Sequence, residues 1–380
     1  MQVRIALLGS RFMGRAHSHA WRAAPEFFDL PARPVLELVA ARDGGRLNEL
    51  AGSFGWARIT TRGLDAFEDP AIDLIDIGTP NHLHAEQAIA ALEAGKHVAC
   101  EKPLAGSLED ARSMRDAARK ARRSSSVVWY TYRRVPALAL ARELVAEGRL
   151  GRIYHVRAAY LQSWGGPATP LLWRFQGKTA GTGAMGDLGA HIIDMARFVT
   201  GDEIAEVSGG SERRFIERRP LPEDATRSAK SSVDDAVAFV ARMKGGALAT
   251  FEATRLATGM KNSNRIEIHG EDGAVAFDFE RMNELRYFDA TEAPRLQGWR
   301  TILATHESHP WMKAWWPDGH GLGYEHTFVN TAADILRVLG GEAPEAPLCD
   351  FADAYETQRV MEAALLAARN RCAVPIKEVR

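Results

Sequence analysis

No run of this 380-residue chain stays apolar for long enough to cross a bilayer. Cysteine is scarce as well. Cys100, Cys349 and Cys372 are an odd number at unpatterned spacings, which argues against a disulfide framework and suits reduced thiols in the cytoplasm. An excess of either charge is also missing: 48 Lys and Arg stand against 49 Asp and Glu. That balance excludes a nucleic-acid or membrane surface overall. The densest basic stretch, Arg213-Arg214 to Arg218-Arg219, is broken up by Glu212 and Glu217 and reads as a solvated loop or strand edge. No repeat or low-complexity tract is visible. Met1 leads straight into a strand-like segment, so the expectation is a chain without a secretory leader. The length is enough for two domains, each with its own core.

What the first third does contain is an alternation of short apolar runs and helical stretches, the pattern of a doubly wound parallel sheet. Val3 to Leu8 reads as a strand, followed at once by Gly9-Ser10-Arg11-Phe12-Met13-Gly14 and a helix from Arg15 to Ala24, stopped by Pro25. Strand, glycine turn and helix N-terminus together make an anion site, because free amides and the helix dipole point at a diphosphate. The dinucleotide fingerprint wants a glycine where this chain has Arg11, whose charge nonetheless suits an anion. Val35 to Ala41 is the second strand. At its end Ala41 takes the place of the acidic residue that would hold the ribose hydroxyls of NAD, and Arg42 beside it suits a 2′-phosphate, which favours NADP over NAD. Asp43 fits better as the N-cap of a helix from Gly44 to Phe54.

Leu74 to Ile77 is a third buried strand, ending in Thr79-Pro80-Asn81-His82-Leu83-His84 ahead of a helix from Ala85 to Glu93. A metal reading of His82 and His84 lacks acidic or cysteine partners. Val98 to Cys100 is the next strand, and Glu101-Lys102-Pro103 leaves it, the proline barring helix at Lys102. A lysine at the carboxyl end of such a strand stands where open α/β sheets bind ligands; the alternative is a surface lysine ahead of a turn. Ser107 to Asp110 caps a helix reaching about Arg123, and Val127 to Tyr130 closes the sheet.

From Pro136 the texture changes to strands in a meander, which predicts a large antiparallel or mixed sheet with one side on helices. Ile266, Ile268, Val275, Phe277 and Phe279 are expected to face one way. A helix from Met185 to Val199 carries Asp187 and His191 at i, i+4, with Asp194 a turn further on. That pair leaves three readings open: a metal half-site, a helix-stabilising pair or an acid/base site. The irregular segment 289–323 contains Trp311, Trp315, Trp316 and the histidines His306, His309 and His320. It reads as a lid, a pocket wall or a subunit contact. Two helices follow, Glu325 to Leu339 and Phe351 to Asn370.

These motifs fall in one order: Gly9-x-x-x-Met13-Gly14-x-x-His17, Thr79-Pro80-Asn81-His82-x-His84, Glu101-Lys102-Pro103 and Gly186-Asp187-x-x-x-His191-x-x-Asp194. Together they resemble the glucose–fructose oxidoreductase/inositol dehydrogenase (Gfo/Idh/MocA) family across essentially the whole chain. The resemblance implies a Rossmann domain at residues 1–132 and an α+β substrate-binding and oligomerisation domain at 133–380, whose sheet is large and predominantly antiparallel. It implies an NAD(P)-dependent sugar or polyol dehydrogenase oxidising a secondary ring hydroxyl, at C3 of a pyranoside or anhydrosugar, without metal. Lys102 and His191 would line the reacting carbon, and Asp187 would help to hold the substrate. Gly9, Arg11, Phe12, Met13, Gly14, Arg42, Thr79, Pro80, Asn81, His82, His84, Glu101 and Lys102 would serve the cofactor. Trp173 and Arg174 would lie over it, beside the sugar. Tyr132, Gln162 and Trp164 would contact the sugar. A homodimer or homotetramer through the second sheet is the expected assembly. Two rival functions are an aldose oxidoreductase acting at C1 with tightly held NADP, and a non-catalytic dinucleotide sensor.

Overall fold

The computed structural model describes residues 1–380, which divide into two compact units. The first comprises Met1–Arg134, Pro310–Pro317 and Leu322–Tyr355; the second comprises Val135–His309, Asp318–Gly321 and Glu356–Arg380. Two later segments thus return to the first unit, where the sequence had suggested one continuous second domain.

In the first unit six strands lie parallel: β1 (Gln2–Leu8), β2 (Arg33–Ala40), β3 (Arg58–Thr60), β4 (Leu74–Ile77), β5 (His97–Cys100) and β6 (Ser126–Val128). Their order is β3-β2-β1-β4-β5-β6. The chain reverses direction across the sheet between β1 and β4, and that reversal opens a crevice at the carboxyl ends of the strands. Between the strands run α1 (Phe12–Phe27), α2 (Gly44–Phe54), α3 (Leu64–Glu68), α4 (His84–Glu93) and α5 (Leu108–Lys120). β4 is buried along its whole length, as expected of a strand covered on both faces. Asp43 and Ser107 cap α2 and α5 by accepting from the amides of Arg46 and Asp110. Pro25 does not stop α1, which continues to Phe27. Proline deletes one amide, and so close to the helix end the Phe28 amide still reaches the Ala24 carbonyl at 3.0 Å.

The second unit opens with α6 (Pro136–Ala146) and β7 (Ile153–Leu161), followed by α7 (Gly177–Ala180) and α8 (Ala190–Thr200). Then come β8 (Ile204–Arg213), β9 (Arg218–Pro220), β10 (Ser228–Lys230), β11 (Ala236–Met243), β12 (Leu248–Thr254), β13 (Ser263–Gly270), β14 (Gly273–Asp278), β15 (Glu284–Asp289) and β16 (Arg300–Leu303). With β17 (Val374–Pro375) they build a nine-stranded sheet in the order β16-β15-β14-β13-β7-β12-β11-β8-β17, while β9 and β10 pair separately. The sheet is mixed, because β7 and β12 run parallel and the other neighbours antiparallel. Ile266, Ile268, Val275, Phe277 and Phe279 are all buried, as their alternation predicts.

The last helices are α9 (Tyr324–Leu339), in the first unit, and α10 (Phe351–Asn370), which begins there and ends in the second. Trp311 and Trp315, in the aromatic-rich segment, pack in the first unit. Trp315 lies 4.3 Å from Phe27, ring to ring, and donates to Asn330 at 2.8 Å, while Trp311 donates to Asp334 at 3.2 Å. An indole buried in this way satisfies its N–H and keeps its apolar body inside. The basic stretch is corrected in one place. Arg219 is fully buried, donating to Asp235 at 2.9 Å with its guanidinium 3.6 Å from the Phe175 ring centroid. A carboxylate and an aromatic face outside the stretch make that burial tolerable.

Candidate active site

In the first unit, Leu8 and Ile77 are register partners, which sets Gly9 beside Gly78. Gly9 has φ +122°, and a Cβ there would meet the Gly78 carbonyl oxygen at 2.7 Å. A Cβ on Gly14 would overlap the Gly9 carbonyl. These contacts draw β1, α1 and the end of β4 close enough to leave the first amides of α1 facing the crevice, a cradle that fits a diphosphate. Arg11 and Phe12 are exposed at that helix start, with the Phe12 ring stacked near Tyr324. Met13 is half-buried at the same turn. At the end of β2, Arg42 is exposed, and Asp43 is committed to α2 through the Arg46 amide and an ion pair with Arg46 at 3.1 Å.

Beneath this cradle lies a buried charge cluster. His17 Nδ1 donates to Asp76 at 3.0 Å and Nε2 donates to Glu101 at 3.1 Å. Trp21 and Trp129 donate to the same Asp76 carboxylate at 2.6 and 3.0 Å, and His17 stacks on Trp129 with ring centroids 4.2 Å apart. Burial works against charge on His17, but Asp76 and Glu101 outweigh it and raise its pKa to about 9. Glu101 Oε2 accepts the Lys102 amide at 3.1 Å, so the cluster reaches the backbone of the Glu101-Lys102-Pro103 segment. The Lys102 side chain is half-buried at the strand end.

Thr79, Pro80, Asn81 and His82 form the neighbouring strand exit. The Thr79 hydroxyl donates to Gln87 at 2.6 Å. Fully buried His84 faces the carbonyls of Pro103 at 3.1 Å and Thr79 at 2.9 Å. It ties that exit to the one carrying Lys102, and burial lowers its pKa. Tyr132 is buried in the turn after β6. His17 stood in the sequence pattern without a role, and Asp76 was legible only as a charge inside an apolar strand.

The second unit gathers Gln162, Trp164, Trp173, Arg174, Asp187 and His191. The expected helix begins as a π-helical turn, Met185–Gly189, before α8, so Asp187 sits on a widened turn and His191 on the first turn of α8. Asp234 holds that turn, accepting from the amides of Gly183 at 2.6 Å and Met185 at 2.8 Å. His191 meets the Tyr160 ring edge-on, with centroids 5.7 Å apart. From Tyr160 a polar chain runs outward. Its hydroxyl donates to Asn262 at 2.7 Å, Gln162 donates to the same oxygen at 2.7 Å, and Trp164 donates to Gln162 at 2.7 Å. Sequence reasoning missed Asn262, which nothing distinguishes from any polar residue at the start of a strand. The Arg174 guanidinium stacks 4.5 Å from the Trp173 ring centroid. No three His, Cys, Asp or Glu side chains gather as a group that could hold a metal ion.

Residues 3–128 match the oxidoreductase family with an NAD-binding Rossmann fold, and residues 138–276 match the GFO/IDH/MocA C-terminal domain. This chain belongs to the Gfo/Idh/MocA oxidoreductase family. It is 39% identical to a levoglucosan dehydrogenase of Pseudarthrobacter phenanthrenivorans, covering 99% of this chain and 98% of that one. An oxidoreductase domain protein from Kribbella flavida matches with a TM-score of 0.95 at 49% identity, over 99% of both chains. A levoglucosan dehydrogenase in complex with NADH and levoglucosan matches with a TM-score of 0.93 at 39% identity, over 99% of this chain and 100% of that one. No helix here is long and apolar enough to cross a membrane.

Proposed function

We propose that the protein is an NAD(P)-dependent sugar dehydrogenase that oxidises a secondary ring hydroxyl, at C3 of a pyranoside or anhydrosugar, to a ketone. The observation that carries this reading is the presence of Lys102, Asp187 and His191 in a chain alike from end to end to a levoglucosan dehydrogenase.

Gly9, Arg11, Phe12, Met13 and Gly14 would hold the diphosphate end of the cofactor. Thr79 to His82, His84, Glu101, Lys102, Trp173 and Arg174 would line its course. The bound nicotinamide supplies a hydride acceptor. Lys102 donates to the oxygen being oxidised and stabilises the negative charge that develops there. His191, a residue type that titrates near neutrality, takes the hydroxyl proton. Asp187 accepts from a neighbouring hydroxyl. Tyr132, Gln162, Trp164 and Arg174 contact the sugar, and the Trp164–Gln162–Asn262–Tyr160 chain supports these positions because each member is fixed by the next.

The cofactor reading is NADP over NAD, supported by Ala41 and by exposed Arg42, with Asp43 committed as a cap. A homo-oligomer through the second sheet is supported by its outer face, where Ala238, Val240 and Leu248 are exposed. The odd number and unpatterned spacing of Cys100, Cys349 and Cys372 support a reducing, cytoplasmic setting.

The test is absorbance of the reduced nicotinamide with NAD or NADP over levoglucosan, glucose, anhydroglucitol, inositols and glycosides. Turnover by the wild type that Lys102→Ala and His191→Ala both lose is the expected result. Dinucleotide binding without turnover of any of these sugars would overturn the reading.

A further inference from the structure

We propose that Arg255 is a positioning residue that sets the place and charge of Asp187, an inference resting on the reading of Asp187 as a substrate-binding carboxylate. Arg255 follows β12 and is 1% exposed. Its Nη1 donates to the Arg174 carbonyl at 3.3 Å and its Nη2 to the Asp234 carbonyl at 3.1 Å. Two rings flank the guanidinium, Phe175 at 4.8 Å and Trp164 at 5.4 Å from their centroids. Its Nε has no partner. The surrounding backbone is shaped to it: a Cβ on Gly183 would come within 2.6 Å of Nη2, and one on Gly165 within 2.9 Å of the Arg255 Cβ.

Fixed this way, Nη1 lies 3.8 Å from Asp187 Oδ2. The other nearby carboxylates are committed elsewhere. Asp234 takes the amides of Gly183 and Met185, while Asp235 takes Arg219 and the amides of Phe215 and Ile216. Asp187 is therefore the counter-charge left to a buried cation, and the Asp187 side chain remains 22% exposed. Arg219 shares the Phe175 ring and adds a second positive charge nearby. An opposite charge at this distance favours the carboxylate form. A lysine would keep the charge but could not span both carbonyls and Asp187 in one fork.

The test combines ¹³C-detected titration of the Asp187 carboxyl, assigned with Asp187→Asn, and steady-state kinetics on Arg255→Met, Arg255→Lys and each of these combined with Asp187→Asn. In Arg255→Met the Asp187 pKa is expected to rise by about one unit or more. The kcat/KM for sugar should fall by about a hundredfold, through kcat as well as KM. Arg255→Lys should recover part of both effects, and the double variants should be no worse than Asp187→Asn alone, because Arg255 acts through that carboxylate. If Arg255→Met does not fold, Arg255→Lys and its double variant carry the same comparison. An unmoved Asp187 pKa in a folded variant, or losses that multiply in the double variant, would overturn the inference. A wild type that turns over no sugar would sink the functional reading instead, and the titration would still decide the role of Arg255.

Discussion

The His17 imidazole stands 3.0 Å from the Asp76 carboxylate with neither side chain reaching solvent. Glu101 occupies the other ring nitrogen at 3.1 Å, so one cation serves two carboxylates. Taking charges out of water is costly. The cluster is stable because hydrogen bonds from Trp21 and Trp129 and the Lys102 amide complete the carboxylates. It braces the strand end that presents Lys102.

Stability should therefore fall in alkali. The folded-state pKa of His17 is about 9, raised from 6.5. Its contribution is complete below pH 6.5 and is lost as the pH rises toward 9. A shift of that size corresponds to about 3 kcal/mol. Urea midpoints measured at several pH values across that window should decline, and His17→Gln should be less stable at neutral pH and flatter across the window. A wild-type midpoint that does not change over the window would contradict the charged pair.

The buried Arg219–Asp235 pair makes a second prediction about stability. Asp235→Ala strips Arg219 of its counter-charge and leaves the Phe215 and Ile216 amides without an acceptor. The expected loss is about 3–5 kcal/mol by urea unfolding. A loss below about 1 kcal/mol would show that water reaches the guanidinium.

Cofactor choice is tested at Arg42. Arg42→Ala should lower kcat/KM with NADP by about 10- to 100-fold, the worth of a charged hydrogen bond, and leave NAD within about threefold. Equal losses with both cofactors would remove Arg42 from phosphate recognition.

Gly183 tests the turn that carries Asp187. A methyl group there overlaps the Asp234 carbonyl and must displace the turn. Gly183→Ala should cost about a hundredfold in sugar turnover, since small misplacements are expensive, with dinucleotide affinity retained. Normal turnover would mean that the turn relaxes without moving Asp187.

The first unit was the most legible part of the chain because β1, β4 and β5 are largely buried and read as short, mostly apolar runs, with Arg4 and Asp76 the exceptions. β3 was not legible: three residues, Arg58-Ile59-Thr60, at a sheet edge carry no periodic signal. The meander of β11 to β14 was legible for the opposite reason, since the alternation clearest in β11 and β13 marks a half-buried sheet. In the site, Lys102, Asp187 and His191 stood out by motif. Asn262 did not, and Asp234-Asp235 and Glu252-Ala253-Thr254-Arg255 stood out as motifs without a role, because each of these residues works through a partner distant in sequence: Tyr160 for Asn262, the Gly183 amide for Asp234 and Asp187 for Arg255. The packing of the aromatic-rich segment was not legible for the same reason. Trp315 belongs against Phe27 and Asn330, contacts that no local pattern announces.

The most direct measurement follows the hydrogen itself. The enzyme is given levoglucosan or a methyl glucoside deuterated at C3, and in parallel the same sugar deuterated at C1. Oxidation at C3 predicts deuterium in the reduced nicotinamide and a primary isotope effect on kcat/KM from the C3-labelled sugar alone. Label arriving from C1, or remaining wholly in the sugar while cofactor is reduced, would contradict it.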